Sequence, residues 1–127
     1  MNRRVAPTGG QVILRASRYD LTDAPWLIVV FAERWGINDD GEKYKNYYVP
    51  ESVGIATGFL IAAIHHAGLV CLEHTPNPMA FLNEMLHRPP QDKAVMILPV
   101  GHPADDATVP AVAKRKKAFD RIASIFT

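Results

Sequence analysis

Two short runs of this chain carry side chains able to do chemistry on a ligand: Glu73-His74-Thr75-Pro76-Asn77-Pro78 and Lys114-Arg115-Lys116-Lys117. In the first, the apolar stretch Leu69-Val70-Cys71-Leu72 gives way to a hydroxyl, an amide and two prolines. A strand that ends this way presents Thr75 and backbone N–H groups from a rigid loop, which suits donation to the edge of a flat ligand. The same residues also serve a plain strand-to-helix connection in which Thr75 or Asn77 acts as a cap. In the second run, consecutive cations can bind phosphate through charge-assisted hydrogen bonds, with Arg115 supplying the planar fork. A solvated charge run at the start of a helix has the same composition. By residue type alone, capping and solvation account for both runs.

Other chemistries lack their residues. The histidines, His65, His66, His74, His87 and His102, show none of the usual zinc spacings, and Cys71 has no second cysteine, so no metal is expected. His65 and His66 fall in the last turn of an expected helix, where imidazole interacts well with the dipole. Ser52 lacks a Gly-x-Ser-x-Gly elbow, and Cys71 sits in an expected strand with no helix N-terminus to depress its pKa. There is no Gly-x-Gly-x-x-Gly and no P-loop, which argues against a Rossmann site or an NTPase. Tyr47-Tyr48 beside Lys43 and Lys45 could stack on bases, but no wider basic face accompanies them. They read as core or interface residues, and no nucleic-acid partner is expected.

The elements that must position these runs follow from the hydropathy pattern. With 127 residues and 48% apolar content the chain has room for one domain with one core. A formal charge of +1 sets up no field toward nucleic acid or an anionic membrane. A lone cysteine fits a reducing, cytoplasmic compartment. The stretch Val-Ile-Leu near the N-terminus is too short for a signal-peptide core, and the apolar run from Val53 to Leu72 holds two histidines and Gly68, so no export signal or membrane span is expected. Residues 1–20 mix Arg, Gly, Pro and Ser and read as a partly ordered arm, with the folded domain over 21–127.

Within that domain, Trp26 to Ala32 is a short β-branched run expected as a strand covered on both faces. Residues 33–46 read as an exposed loop turning at Asn38-Asp39-Asp40-Gly41. Pro50-Glu51-Ser52 starts a helix expected to run from 51 to 67 and stop at Gly68. That helix is apolar nearly all round, so it belongs inside a core or at a subunit interface, and Gly54 and Gly58 leave room for another backbone to approach. A strand from Leu69 that ends at Thr75-Pro76, a short helix over Met79–Leu86 and a third strand ending in Leu98-Pro99-Val100-Gly101 follow, with Pro99 suggesting an edge or bulge near its end. Phe119, Ile122, Ile125 and Phe126 have the spacing of one more helical face.

From about Leu21 to the C-terminus, the pieces DAPWLIVVF, NYYVPESVGIATGFL, HAGLV, HTPNPM, HRPP, LPVG and ATVP occur in an order that resembles the FMN-dependent nitroreductase family, in the branch that includes iodotyrosine deiodinase. The resemblance implies an α+β fold with an antiparallel-rich sheet flanked by helices, an intertwined homodimer, and FMN at the subunit interface. It implies ping-pong hydride transfer from diffusing NADH or NADPH to the flavin and on to a nitroaromatic, quinone or similar acceptor. It places Thr75 as the donor to flavin N5, with His74, Pro76 and Asn77 in the flavin-contacting loop and Lys114 and Arg115 at the flavin phosphate. Two departures stand out. Glu73 and His74 replace a run of threonines typical of the deiodinases, and the family's Arg-x-Ser-x-Arg type element is not found before Trp26. The alternative expectation is a shortened, flavin-free remnant that acts as a dimerisation or interaction module.

Overall fold

A computed structural model describes residues 11–12 and 24–126. Along the chain run β1 (Gln11–Val12), β2 (Trp26–Glu33), β3 (Trp35–Ile37), β4 (Lys43–Lys45), α1 (Val49–His66), β5 (Val70–Cys71), α2 (Phe81–Met85), β6 (Asp92–Pro103), α3 (Ala111–Lys114) and a 3₁₀ turn at Phe119–Arg121. Apart from Gln11 and Val12, the arm expected over residues 1–20 lies outside the described residues.

The fold is α+β, built on the pairing of β2 with β6. These strands run antiparallel from Trp26 opposite Val100 to Glu33 opposite Asp92. β5 adds to the far edge of β6 at Val100 and Gly101, and β1 lies parallel to its end at His102 and Pro103. Because successive side chains in a strand point to opposite faces, β2 divides its apolar residues in two. Ile28 and Val30 join Leu98, Val100, Cys71 and the Ile64 side of α1. Val29 and Phe31 join Ile97, Ala94 and Leu82 of α2. One irregularity breaks the alternation: Val30 opposes Met96 while Phe31 opposes Ala94, so Val95 is an extra residue in β6. Such a bulge flips every later side chain to the other face. Here it brings Ala94 onto the α2 side together with Ile97.

Several expectations need correction. The polar stretch 33–46 is a hairpin, with β3 paired to β4 and the turn closed by the Asn38 N–H donating to the Glu42 carbonyl at 2.9 Å. Its strands are three residues each, too short for alternation to stand out from the surrounding charges. Gly36 lies under the Tyr44 ring, where an added Cβ would collide. Pro99 is neither at an edge nor in the bulge. It is buried in mid-strand, and its carbonyl accepts from Leu72 N–H at 3.3 Å on the β5 side, while its missing N–H removes the return bond to the Leu72 carbonyl.

The tail also departs from expectation. Instead of one amphipathic helix there are two short turns, and Phe119, Ile122, Ile125 and Phe126 are all exposed. An isolated helix of that length cannot hold itself together in water without an apolar face to pack on, and the adjacent cations repel one another. α1 agrees closely with its expected span and ends at Gly68 with φ of 76°. Among the described residues the helix is enclosed on one side only, however: Thr57 and Ile64 are buried, while Ile55 and Phe59 are 63% and 75% exposed. Nothing lies within 4 Å of a Cβ built on Gly54 or Gly58.

Candidate functional site

The Thr75 run is held in place by main-chain bonds to β6. His74 N–H donates to the Ile97 carbonyl at 2.9 Å, and Ile97 N–H donates back to the His74 carbonyl at 2.8 Å. This bridge ends the pairing on that edge of β6 among the described residues. Thr75 then leaves the sheet with an exposed side chain, followed by Pro76, Asn77 and the cis Asn77–Pro78 bond. The chain re-enters regular structure at α2, whose N-cap is Ala80 with no side-chain cap. Neither Thr75 nor Asn77 caps that helix, so local capping does not explain the run.

Between this loop and the start of β6, which pairs there with β2, lies a cleft of about 720 Å³, walled by Thr75 to Ala80, Arg34, Asn83 and Asp92 to Ala94. A tight network backs its floor. Asp92 is 6% exposed and accepts from Arg88 Nε at 2.8 Å and Arg88 Nη2 at 2.6 Å. Asn83 Nδ2 donates to the Asp92 carbonyl at 2.8 Å, and Arg34 Nη2 donates to the Pro90 carbonyl at 2.8 Å. The Arg88 guanidinium also lies 5.6 Å from the Phe31 ring centroid. These bonds satisfy a buried carboxylate and the carbonyls of a Pro-Pro turn, groups that would otherwise be costly to bury. Sequence reasoning missed Arg34, Asn83, Arg88 and Asp92. The i,i+4 pair of Arg88 and Asp92 astride Pro89-Pro90 was the one available signal.

A second cleft, of about 730 Å³, shares Arg34, Met79, Lys93 and Ala94 with the first and reaches to Tyr47, Tyr48 and the first turn of α1. Both tyrosines are exposed, outside the core of this chain. Neither cleft is lined by Lys114 or Arg115. Lys114 ends α3, and Arg115 follows it as the C-cap with its N–H donating to the Val112 carbonyl at 3.2 Å. Both side chains are exposed. The structure therefore brings His74 through Asn77 together in one loop and leaves the cationic run apart from it.

Burial pushes the His74 imidazole below its ordinary value of 6.5, because the charged form loses hydration there. The loop thus presents a neutral ring beside Thr75 at neutral pH. Among the described residues no group of three or more His, Cys, Asp or Glu side chains is placed to hold a metal ion. No helix of the described residues is long and apolar enough to cross a membrane.

No family model matches the chain. Among curated proteins, it is 55% identical over 95 residues to an iodotyrosine deiodinase of Haliscomenobacter hydrossis, covering 75% of this chain and 43% of that protein. It is 47% identical over 97 residues to the iodotyrosine deiodinase of Hydra vulgaris, covering 76% and 35%. To human iodotyrosine deiodinase 1 it is 43% identical over 103 residues, covering 80% and 35%. The chain thus matches well under half the length of these relatives. Among solved structures, an oxidised iodotyrosine deiodinase bound to FMN and 3-iodo-L-tyrosine superposes with a TM-score of 0.60 at 28% identity, over 81% of this chain and 49% of that one. An oxidoreductase containing FMN superposes with a TM-score of 0.68 at 18% identity, over 82% and 56%, which speaks to the fold alone. Over about three quarters of its length the chain is thus similar to part of the iodotyrosine deiodinases, a branch of the nitroreductase family.

Proposed function

We propose that this chain is part of an FMN-dependent oxidoreductase that takes reducing equivalents from NADH or NADPH and delivers them to a nitroaromatic, quinone or similar acceptor. The observation that carries this reading is the likeness to the FMN-bound deiodinase over 81% of the chain. The Thr75 cleft fits a flavin ring: at about 720 Å³ it lies within the usual range for ligand sites, and the Thr75 hydroxyl is not used in capping α2. FMN, when bound, supplies the hydride chemistry.

In this reading Thr75 donates a hydrogen bond to the ring edge at N5. Pro76 and Asn77 shape the surface the ring lies on, and the His74–Ile97 bridge keeps that loop from shifting along β6. Lys114 and Arg115 hold the phosphate. Their distance from the Thr75 cleft is met if a second copy of the chain supplies the cations, and a homodimer is accordingly part of the proposal. A cytoplasmic location goes with it.

The test is to mix the purified chain with excess FMN, remove unbound flavin by gel filtration and record the visible spectrum of the protein peak. Stoichiometric flavin absorbance supports the oxidoreductase reading. Arg115→Ala then weakens FMN binding, and Thr75→Ala shifts the flavin reduction potential with little loss of affinity. A colourless, folded peak favours instead a flavin-free interaction module. The specific observation behind that second reading is the uncovered apolar face of α1 at Ile55 and Phe59.

A further inference from the structure

We propose that residues 111–126 form a peripheral membrane-binding segment, which folds into one amphipathic helix on an anionic phospholipid surface. The pattern is set by residue type. Phe119, Ile122, Ala123 and Phe126 recur at i, i+3, i+4 and i+7, so a helix through them carries a single apolar stripe. Lys117 and Arg121, four residues apart, fall on the side away from that stripe, with Asp120 and Ser124 beside them. Five cations, Lys114 to Lys117 and Arg121, stand against one carboxylate, Asp120. The formal charge of +1 for the whole chain conceals this, because the rest of the chain holds more acidic than basic side chains.

The fold offers the segment nothing to pack on among the described residues. Every residue from 111 to 126 is exposed, and Phe119, Ile122, Ile125 and Phe126 are 63%, 66%, 75% and 93% exposed. Its hydrogen bonds stay local: Ala113 N–H donates to the Pro110 carbonyl, Lys116 Nζ to the Ala113 carbonyl and Arg121 N–H to the Ala118 carbonyl. Two obstacles hold it as short turns, the lack of an apolar surface and the repulsion among neighbouring cations. An anionic bilayer removes both. Its acyl boundary takes up the apolar stripe, and its headgroups neutralise the cations. Charge favours this occupant over a second copy of the segment, since two such basic runs repel each other. A nucleic acid would answer the cations but leave Ile122 and Ile125 in water.

Lys117, Arg121 and the apolar stripe take no part in the flavin reading, so the two proposals are tested independently. The probe is a vesicle of phosphatidylcholine mixed with phosphatidylserine, sedimented with the purified full chain and compared with a vesicle of phosphatidylcholine alone. The chain is expected to partition onto the mixed vesicles about tenfold or more strongly than onto the neutral ones. Added salt releases it. Helical far-UV dichroism increases with the mixed vesicles only.

Two double variants each remove one half of the chemistry. Lys117→Gln with Arg121→Gln weakens partitioning onto the mixed vesicles about tenfold or more, and Phe119→Ser with Phe126→Ser does the same. All four residues are exposed, so an unchanged urea midpoint shows that the domain itself stays folded. Equal binding to both kinds of vesicle, or undiminished binding by either double variant, overturns the proposal. A failure to bind the mixed vesicles, in a chain whose dimer Phe119→Ser with Phe126→Ser dissociates, overturns it by giving the apolar stripe to a second copy.

Discussion

The two faces of α1 have nearly the same composition and opposite surroundings. On one, Leu60, Ile61 and Ile64 lock into Leu98 and Val100 of β6, and Leu98 has no exposed surface at all. On the other, Ile55 and Phe59 stand in solvent beside two glycines with open space around them. The lesson is that helical periodicity reports how apolar a face is, whereas the identity of what covers it depends on the rest of the fold. An exposed apolar face of this kind is the sort of surface that partners cover.

Substitutions on the two faces should differ most. Leu98→Ala removes a fully enclosed side chain and is expected to cost about 2–5 kcal/mol. Phe59→Ser on the open face should change the stability of the isolated chain by roughly 0.5 kcal/mol or less. Urea unfolding of the two variants at low protein concentration measures the contrast, and comparable losses would mean that the outer face is covered in solution.

A smaller effect separates the cleft floor from the cleft rim. Arg88→Ala leaves the buried Asp92 carboxylate without its ion pair, and a loss of about 1–3 kcal/mol is expected, moderated because Arg88 itself is half exposed. Lys93→Gln on the rim should leave the midpoint unchanged. The same urea midpoints decide the matter, and an unshifted Arg88→Ala would show that Asp92 is satisfied by other means.

The smallest expected effect is one of pH. The folded-state pKa of His74 lies below its unfolded value of 6.5, so the native state binds fewer protons than the unfolded one as pH falls through that region. Stability contributed by the neutral ring is fully present above 6.5 and declines as the pH drops below it. His74→Gln should flatten the unfolding midpoint between neutral and mildly acidic pH. Parallel pH profiles for wild type and His74→Gln would remove the ring from this role.

Much of the architecture was legible in the residues. Trp26 to Ala32 announced a strand through its β-branched run, although Trp26 and Leu27 are exposed rather than covered, and Pro50 and Gly68 bracketed α1 almost to the residue. The Thr75 loop was visible from its two prolines. Other features were not, because they depend on contacts distant in sequence. The β3–β4 hairpin is too short for its alternation to register. The partners of Arg34 lie 56 and 57 residues away. The tail carried a helical spacing with no surface in the described chain to support it.

The order of elements, the kinship with the nitroreductases and the loop that offers Thr75 were all written in the residues, since these rest on local stereochemistry and on residue types at fixed spacing. Folding was needed to decide that Val95 bulges and turns Ala94 to the α2 face, that Tyr47 and Tyr48 share a cleft with Arg34, Lys45 and Lys93, and that Lys114 and Arg115 line neither cleft. Each of these is a pairing between distant segments, settled by register and by the burial of the whole β2–β6 core rather than by any run of neighbouring residues.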